Sequence, residues 1–377
     1  MNDYNNYAAE KSALRKTVSI VAGIAALFFF LDRFSTHIFH VYNLISDDLS
    51  DLSELVFGDR RFFVAFLSVF IHTICLSVCI VLALTVLRQW EHFKFSMRKI
   101  NSPNFGKNEK NSERHTNLTV PAVLISIGML FTSGTIAGLS GNILGWFGIT
   151  LPQNRSTGTY DGILWLIFEL VATAVIPALF EEALFRGAVM GSLRRFGDGF
   201  ALFVSSVLFA LAHLNVGLMS VLNAFVFALV LGYFAIRTGS LRIAMLMHFM
   251  FNLAVIILER VQWLAEIDFT QNLTGSQGTN TLFSLLMPAV ESVTNVLYYA
   301  FVPLCLILGI AGLVMFLRRC SKPFVLNDNG CRVPLYDRLK VTFVSPVMMC
   351  TVLFFSSVIV YNIIDATIRR IVGEMQI

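Results

Sequence analysis

Charged residues are scarce in this chain. Asp, Glu, Lys and Arg together make up 14% of its 377 residues, against roughly 25% in an ordinary soluble domain. Residues with hydrophobic side chains make up 56%, and the mean hydropathy is +0.71. This composition excludes a soluble globular protein. The apolar residues form long uninterrupted runs instead of the alternating ten-residue segments of a membrane barrel, so they predict helices that span a bilayer.

The chain also lacks the patterns of several other protein classes. Its six cysteines show neither a CxxC pair nor the spacing of a zinc finger, and they fall in apolar runs or predicted cytoplasmic loops, which argues against a disulfide framework. The formal net charge of +4 comes from clusters in particular loops. Because no continuous basic stripe occurs, nucleic acid is not an expected partner.

The apolar runs predict an all-α, polytopic integral membrane protein with about eight to nine transmembrane helices. Two long runs, 119–148 and 284–317, exceed what one span needs and contain Gly or Pro, so each is compatible with a kinked helix and an interfacial one. Gly134 and Gly138 have a spacing that predicts close helix packing. The predicted runs are 17–31, 62–87, 119–148, 162–193, 199–214, 218–236, 241–260, 284–317 and 341–363.

Basic residues predict the orientation of the chain. The loop after the first run is acidic, whereas the loop after the second run and the loop at 318–340 are basic. The positive-inside rule then places the amino terminus and these basic loops in the cytoplasm of a multi-pass cell-membrane protein. Composition divides the chain into amino-terminal anchor helices with a basic loop (1–118), a core (119–261, with its motif region at 162–258) and carboxy-terminal transmembrane helices (262–377).

Ionisable residues inside apolar runs are costly, and they mark functional sites by default. Three successive runs carry such residues at helical spacing. Glu182 and Arg186 are four residues apart with the acid first, the favoured order for a helical ion pair, so Glu181 is predicted to be the free carboxylate. The residues of the three runs are Glu181, Glu182 and Arg186; Phe209 and His213; and His248 and Asn252.

The predicted depths of these residues agree. Glu181 precedes Gly197 by as many residues as His213 follows it. If Gly197 is the turn of a helical hairpin, both side chains lie about 24 Å from that turn at roughly 1.5 Å per residue. A carboxylate and imidazoles that converge in a membrane cavity can activate water, and an imidazole with a carboxamide can donate to an oxyanion.

Zinc is the alternative that these residues leave open, because His and Glu are among its usual ligands. Glu181, His213 and His248 would be the ligands. Either assembly hydrolyses an amide, so the reaction class does not depend on the cofactor.

In this order, the motifs Glu-Glu-x-x-x-Arg, Phe-x-x-x-His and His-x-x-x-Asn resemble those of the CPBP family. That family comprises CAAX prenyl protease 2-like (type II CAAX endopeptidase) and bacteriocin-processing membrane proteins. The resemblance implies an intramembrane endopeptidase in which Glu181 and His213 activate water, His248 and Asn252 hold the oxyanion, and Arg186 steadies the acidic pair. Its expected substrate is a membrane-associated peptide or protein within the lipid bilayer. Both a metalloprotease and a metal-independent glutamate mechanism are argued for this fold.

Several alternatives compete with this interpretation. Ser140, in Gly-Leu-Ser-Gly, resembles the serine motif of rhomboid proteases, but the order of the serine and His/Asn helices is reversed. A proton-coupled transporter would show repeats, and none is seen. A non-catalytic membrane scaffold or an immunity or regulatory protein of the same fold would keep the motifs without turnover. His72 has no motif partner and is interpreted as a packing residue, while Glu169 either lines the same cavity or forms a structural pair.

Overall fold

The structure is a computed structural model that describes residues 2–45, 60–98, 118–146, 163–216, 218–266, 281–320, 326–354 and 357. Within these ranges the regular structure is helical and contains no strand. The helices used below are α1 (Asn2–Ile45), α2 (Arg60–Val86), α3 (Trp90–Arg98), α4 (Thr119–Trp146), α5 (Ile163–Phe196), α6 (Asp198–Ala212), α7 (Leu218–Thr238), α8 (Leu241–Glu266), α9 (Thr281–Arg319) and α10 (Leu335–Phe343).

Seven of the described helices are long and apolar enough to cross a membrane, namely α1, α2, α4, α5, α7, α8 and α9. The apolar helix α6 is shorter, with 15 residues. The prediction of an all-α polytopic membrane protein is therefore confirmed. Within the described residues, the long runs 119–148 and 284–317 each form one continuous helix, α4 and α9. The predicted run at 341–363 lies only partly within the described residues.

The four helices of the motif region, α5 to α8, pack together as one bundle. Helix α6 lies against the second half of α5 and along α7, while α8 contacts α5 and α7. Helix α4 contacts α7 and α8 and pairs along its length with α9. On the other side, α1 and α2 pack together, and α2 contacts α5. The bundle therefore holds α5 between the amino-terminal pair and α8.

Close packing between helices occurs at a different glycine pair from the predicted one. A Cβ placed on Gly128 would lie 2.3 Å from the Cα of Gly309, whereas nothing lies within 4 Å of one placed on Gly134 or Gly138. The prediction that Gly134 and Gly138 form a packing motif is therefore wrong. Helices α4 and α9 approach through Gly128 and Gly309 because only glycine leaves room for the facing backbone there.

The turn between α5 and α6 is fixed by α10 and by the segment that precedes it. Gly197 has φ +114°, a backbone conformation that side chains disfavour. Arg338, which is 3% exposed, donates from Nη1 to the carbonyl of Phe196 at 2.6 Å and to the Asp328 carboxylate at 2.8 Å. The backbone N–H of Asp198 donates to the carbonyl of Asn327. These bonds set the relative positions of α5 and α6, the helices that carry the first two motifs.

Candidate active site

Glu182 lies at the centre of a buried cluster of charges. Its side chain is completely buried, and its Oε1 accepts a hydrogen bond from His248 Nδ1 at 3.0 Å. Arg186 Nη1 lies 2.9 Å from the same oxygen, as an ion pair whose N–H is not aimed at the oxygen closely enough for a hydrogen bond. The predicted contact between Glu182 and Arg186 is present, and the histidine of the third motif joins it.

Arg186 is held by more than its ion pair. Its guanidinium carbon lies 4.2 Å from the centre of the Phe209 ring, and Nη2 donates to the carbonyl of Ala228 at 3.4 Å. Stacking on an aromatic face stabilises a cation, most strongly where water is excluded. Phe209, of the second motif, therefore helps to hold Arg186, of the first motif, in position.

His213 begins the short turn after α6. Its Nδ1 lies 2.9 Å from the carbonyl of Phe209. A carbonyl only accepts, so Nδ1 carries the proton and Nε2 of the neutral ring is left as an acceptor. The His213 ring also lies 4.6 Å from that of Phe209, which places the imidazole beside the ring on which Arg186 stacks.

Asn252 ties α8 to an irregular part of α5. Residues Leu170–Val175 form a π-helical segment, and Pro177 follows it. Proline has no N–H to give to the carbonyl four residues earlier, which is that of Thr173. Asn252 donates to this carbonyl from Nδ2 at 2.8 Å. One amide hydrogen of Asn252 therefore has a structural role, and no hydrogen bond from the other is seen among the described residues.

Glu181 is the carboxylate without such a network. Its Oε2 is buried and has no hydrogen-bond partner among the described residues. The charged groups that act on it are those of His248, Glu182, His72 and Arg186. Oε2 of Glu182 is likewise buried without a hydrogen-bond partner among the described residues, so the two glutamates differ in that Arg186 and His248 contact Oε1 of Glu182.

Two other residues singled out in the sequence are committed to structural contacts. Glu169 pairs with Arg260 through its Oε2. Of the two roles considered for Glu169, the structure therefore supports the structural pair. Ser140 donates its hydroxyl to the carbonyl of Ile136 in its own helix at 2.6 Å. Neither contact joins these side chains to the cluster at Glu182.

The described part of the chain contains no group of three or more His, Cys, Asp or Glu side chains arranged as a metal site. The predicted ligands Glu181, His213 and His248 therefore do not fit a three-ligand zinc site in this arrangement. Nδ1 of each histidine is hydrogen-bonded, which leaves Nε2 as the nitrogen that could bind a metal. Zinc stays a prediction.

The region that holds this cluster matches a known protein family. Residues 163–254 match the family model described as type II CAAX prenyl endopeptidase Rce1-like. Residues 163–254 are similar to this family, and this matched segment is called the Rce1-like domain. The match confirms the resemblance read from the three motifs, since the Rce1-like domain contains every residue from Glu181 to Asn252 named in them. No protein of curated function and no solved structure matches the chain.

The family supports a protease assignment and the fold of an intramembrane CAAX-type protease. The Rce1-like domain begins at the first residue of α5 and ends within α8. Helices α1, α2, α4 and α9 lie outside it, yet α2 packs directly on α5. Residues outside the Rce1-like domain therefore border the cluster.

One ion pair outside the Rce1-like domain was not predicted from the sequence. His72 Nδ1 on α2 lies 3.2 Å from Asp32 Oδ1 on α1, so the interpretation of His72 as a packing residue without a partner is wrong. The signal was available, because His72 is an ionisable residue in the middle of an apolar run and such residues have functional or paired roles. What the sequence did not supply was the partner, which lies on another helix.

Proposed function

We propose that this protein is an intramembrane endopeptidase that hydrolyses a peptide bond of a membrane-associated peptide or protein. One observation carries the proposal: Glu182 takes the contacts to Arg186 and His248, while Oε2 of the adjacent Glu181 is buried and has no hydrogen-bond partner among the described residues. A carboxylate in that position is suited to act as a general base. The match of this segment to a prenyl endopeptidase family supports the same reaction class.

Water activation is assigned to Glu181 and His213. The carboxylate of Glu181 accepts one hydrogen of the attacking water, and Nε2 of His213 accepts the other. With both hydrogens held, a lone pair of the water oxygen is free to attack the carbonyl carbon of the substrate. Glu181 takes the proton as the oxygen–carbon bond forms.

Stabilisation of the oxyanion is assigned to His248 and Asn252. Because Nδ1 of His248 donates to Glu182, a protonated ring would offer its Nε2–H to the oxyanion. Glu182 stabilises that imidazolium, as the buried carboxylate of a serine-protease triad does. Asn252 contributes the amide hydrogen that the Thr173 carbonyl does not use. Fixed donors aimed at the developing charge are a large source of rate enhancement.

The proton balance then closes without a further group. The tetrahedral intermediate breaks its carbon–nitrogen bond, and Glu181 returns the proton to the leaving amine nitrogen. The first products are an amine and a carboxylic acid that keeps the second hydrogen of the water. The acid gives this proton to the amine, so a carboxylate and an ammonium group result, and Glu181 is again ionised. Glu181 and Glu182 together with Arg186 and a protonated His248 carry no net charge, which lowers the cost of burying four ionised groups.

The assay uses the purified full chain in liposomes and two quenched fluorescent peptides, one ending in a farnesylated CAAX sequence and the other identical but without the lipid. We expect the wild type to cleave the farnesylated peptide and Glu181→Gln to be at least about 100-fold slower. Glu259→Gln, a change of a carboxylate within α8 outside the cluster, is the matched control and should keep its activity. Equal rates for the wild type and Glu181→Gln would overturn the role of Glu181. Failure of the wild type on both peptides would overturn the proposed peptidase function.

A further inference from the structure

The ion pair between Asp32 and His72 lies within the apolar helices α1 and α2, outside the Rce1-like domain. The side chains of His72 and Asp32 keep 30% and 20% of their exposure. Ionisable groups that face lipid are expensive, whereas such groups that face a water-filled cavity are common in functional sites. Such a pair is therefore expected to face the interior of the helix bundle rather than hydrocarbon.

Packing of α1 directs Asp32 towards the site. Phe28 contacts Phe185 of α5 edge to face, with ring centres 5.8 Å apart. Phe29 packs on Leu214, the residue that follows His213. Asp32 lies one helical turn after Phe28 and Phe29, so it shares their side of the helix.

The depth of Asp32 also matches that of Glu181. The side chains of Thr17 and Arg195 are hydrogen-bonded, which fixes the register of α1 against α5. Asp32 follows Thr17 along α1, and Glu181 precedes Arg195 along α5, by nearly the same stretch of chain. At roughly 1.5 Å per residue, Asp32 lies about 22 Å from this shared contact. Glu181 lies somewhat nearer to it, because Ala183–Met190 are π-helical and rise less per residue. Asp32 and Glu181 therefore lie at similar depths.

His72 reaches the same place from α2. Leu76, one turn further along, is buried in the main core, and α2 packs on the part of α5 that carries Glu181. His72 and Glu181 lie close enough for their charges to interact when both are ionised, as do Asp32 and His213. Because Nδ1 of His72 faces the Asp32 carboxylate, Nε2 is the ring atom not committed to that pair.

We propose that His72, held by Asp32, is a positioning residue of the active site that keeps the Glu181 carboxylate hydrated and correctly oriented. This inference rests on the proposed peptidase function. His72 does not touch the scissile bond in this account. It acts through Glu181, and Asp32 acts through His72. The amino-terminal helices would then be part of the catalytic unit and not only an anchor.

The test measures kcat and KM on the farnesylated fluorescent peptide for the wild type, His72→Gln, Asp32→Asn and the double variant. His92→Gln is the matched control: His92, on α3, packs against Gly191, and burial, with a contribution from the charge of Arg194, lowers the pKa of its imidazole. Thermal unfolding of each purified variant in detergent reports whether it is folded.

We expect His72→Gln to lower kcat about tenfold or more while KM stays within about twofold, because a misplaced carboxylate weakens the chemical step and not substrate binding. The double variant should lose no more than His72→Gln alone, since both changes break one unit. The unfolding midpoint of Asp32→Asn, which keeps the shape of the side chain, should stay near that of the wild type.

An active wild type with unchanged kcat in folded His72→Gln and Asp32→Asn overturns this inference and leaves the proposed function standing. A loss of kcat that follows the unfolding midpoint, and appears equally in His92→Gln, shows a merely structural role and overturns it as well. Dependence of cleavage on Glu181 but not on His72 is the outcome that separates the two proposals. A wild type that cleaves neither fluorescent peptide overturns both the role of His72 and the proposed function.

Discussion

Oε1 of Glu182 lies 3.0 Å from Nδ1 of His248, although the two residues are far apart in the sequence. This contact joins the first and third motifs around one buried carboxylate oxygen, which is also 2.9 Å from Nη1 of Arg186. The neighbouring Glu181 is left with a buried oxygen that has no hydrogen-bond partner among the described residues. Oε2 of Glu182 also lacks a hydrogen-bond partner there, so the two glutamates differ in the contacts that Glu182 makes through Oε1. Under the proposed function, this difference gives Glu182 a structural role and Glu181 the role of the base.

The first prediction compares these two glutamates by stability. Glu182→Gln leaves Arg186 and His248 buried without their anion, a change that costs about 3–5 kcal/mol. Glu181→Gln removes no hydrogen bond of Oε2 and should leave the unfolding midpoint close to that of the wild type. Thermal unfolding of the purified variants in detergent checks both values. Equal destabilisation by the two changes would contradict the assignment.

The second prediction concerns the stacking of Arg186 on Phe209. Lysine keeps the charge at position 186 but not the planar group that stacks. We expect Arg186→Lys and Phe209→Leu each to destabilise the protein, with a coupling energy of about 1–2 kcal/mol in a double-mutant cycle. Unfolding measurements on the two single variants and the double variant give this coupling. Strict additivity would show that the two side chains do not act together.

The third prediction concerns the bond from Asn252 to the carbonyl of Thr173. Asn252→Ala leaves this carbonyl without its donor and should cost about 1–3 kcal/mol of stability. Pro177→Ala supplies a backbone N–H that can serve Thr173 instead, so the stability lost through Asn252→Ala should be smaller in that background. Unfolding midpoints of the single and double variants in detergent measure the difference.

Activity separates the two roles of Asn252. If its second amide hydrogen serves the oxyanion, Pro177→Ala should restore stability to Asn252→Ala without restoring cleavage of the fluorescent peptide. Recovery of both together would assign Asn252 a structural role only.

The fourth prediction concerns the close contact of α4 with α9. Gly128→Ala would place a Cβ 2.3 Å from the Cα of Gly309, so the helices must separate, and we expect a loss of about 1–3 kcal/mol or more. Gly134→Ala is the matched control in the same helix, because nothing lies within 4 Å of the new Cβ. Unfolding midpoints in detergent compare them. A midpoint for Gly128→Ala no lower than that of Gly134→Ala would contradict this packing.

Contacts within one helix were predictable from the sequence. The spacing of Glu182 and Arg186 predicted their ion pair, and the apolar runs predicted an all-α membrane protein. Both inferences depend only on helical geometry along a continuous segment. The turn at Gly197, from which the equal depth of Glu181 and His213 was inferred, is also where α5 ends and α6 begins.

Contacts between helices were not predictable in the same way, because they depend on how each helix is rotated about its axis. The partners of His248, Asn252 and His72 all lie on other helices. Helix α5 adds a second difficulty, since its π-helical segments at Leu170–Val175 and Ala183–Met190 shift the side on which later residues lie. A small-residue spacing likewise marks a face that can pack closely but not the helix that covers it, as Gly134 and Gly138 show.

The most direct test of the central claim is a comparison, by mass spectrometry, of membrane and released peptides from cells that express the wild type, Glu181→Gln or Ser140→Ala. Glutamine is nearly isosteric with glutamate and removes the base, while the Ser140 hydroxyl bonds within its own helix. If Glu181 is the base of a peptidase, we expect peptides that are present with the wild type and Ser140→Ala and absent with Glu181→Gln. Identical peptides from the wild type and Glu181→Gln, with both proteins folded and equally abundant, would contradict proteolysis by Glu181.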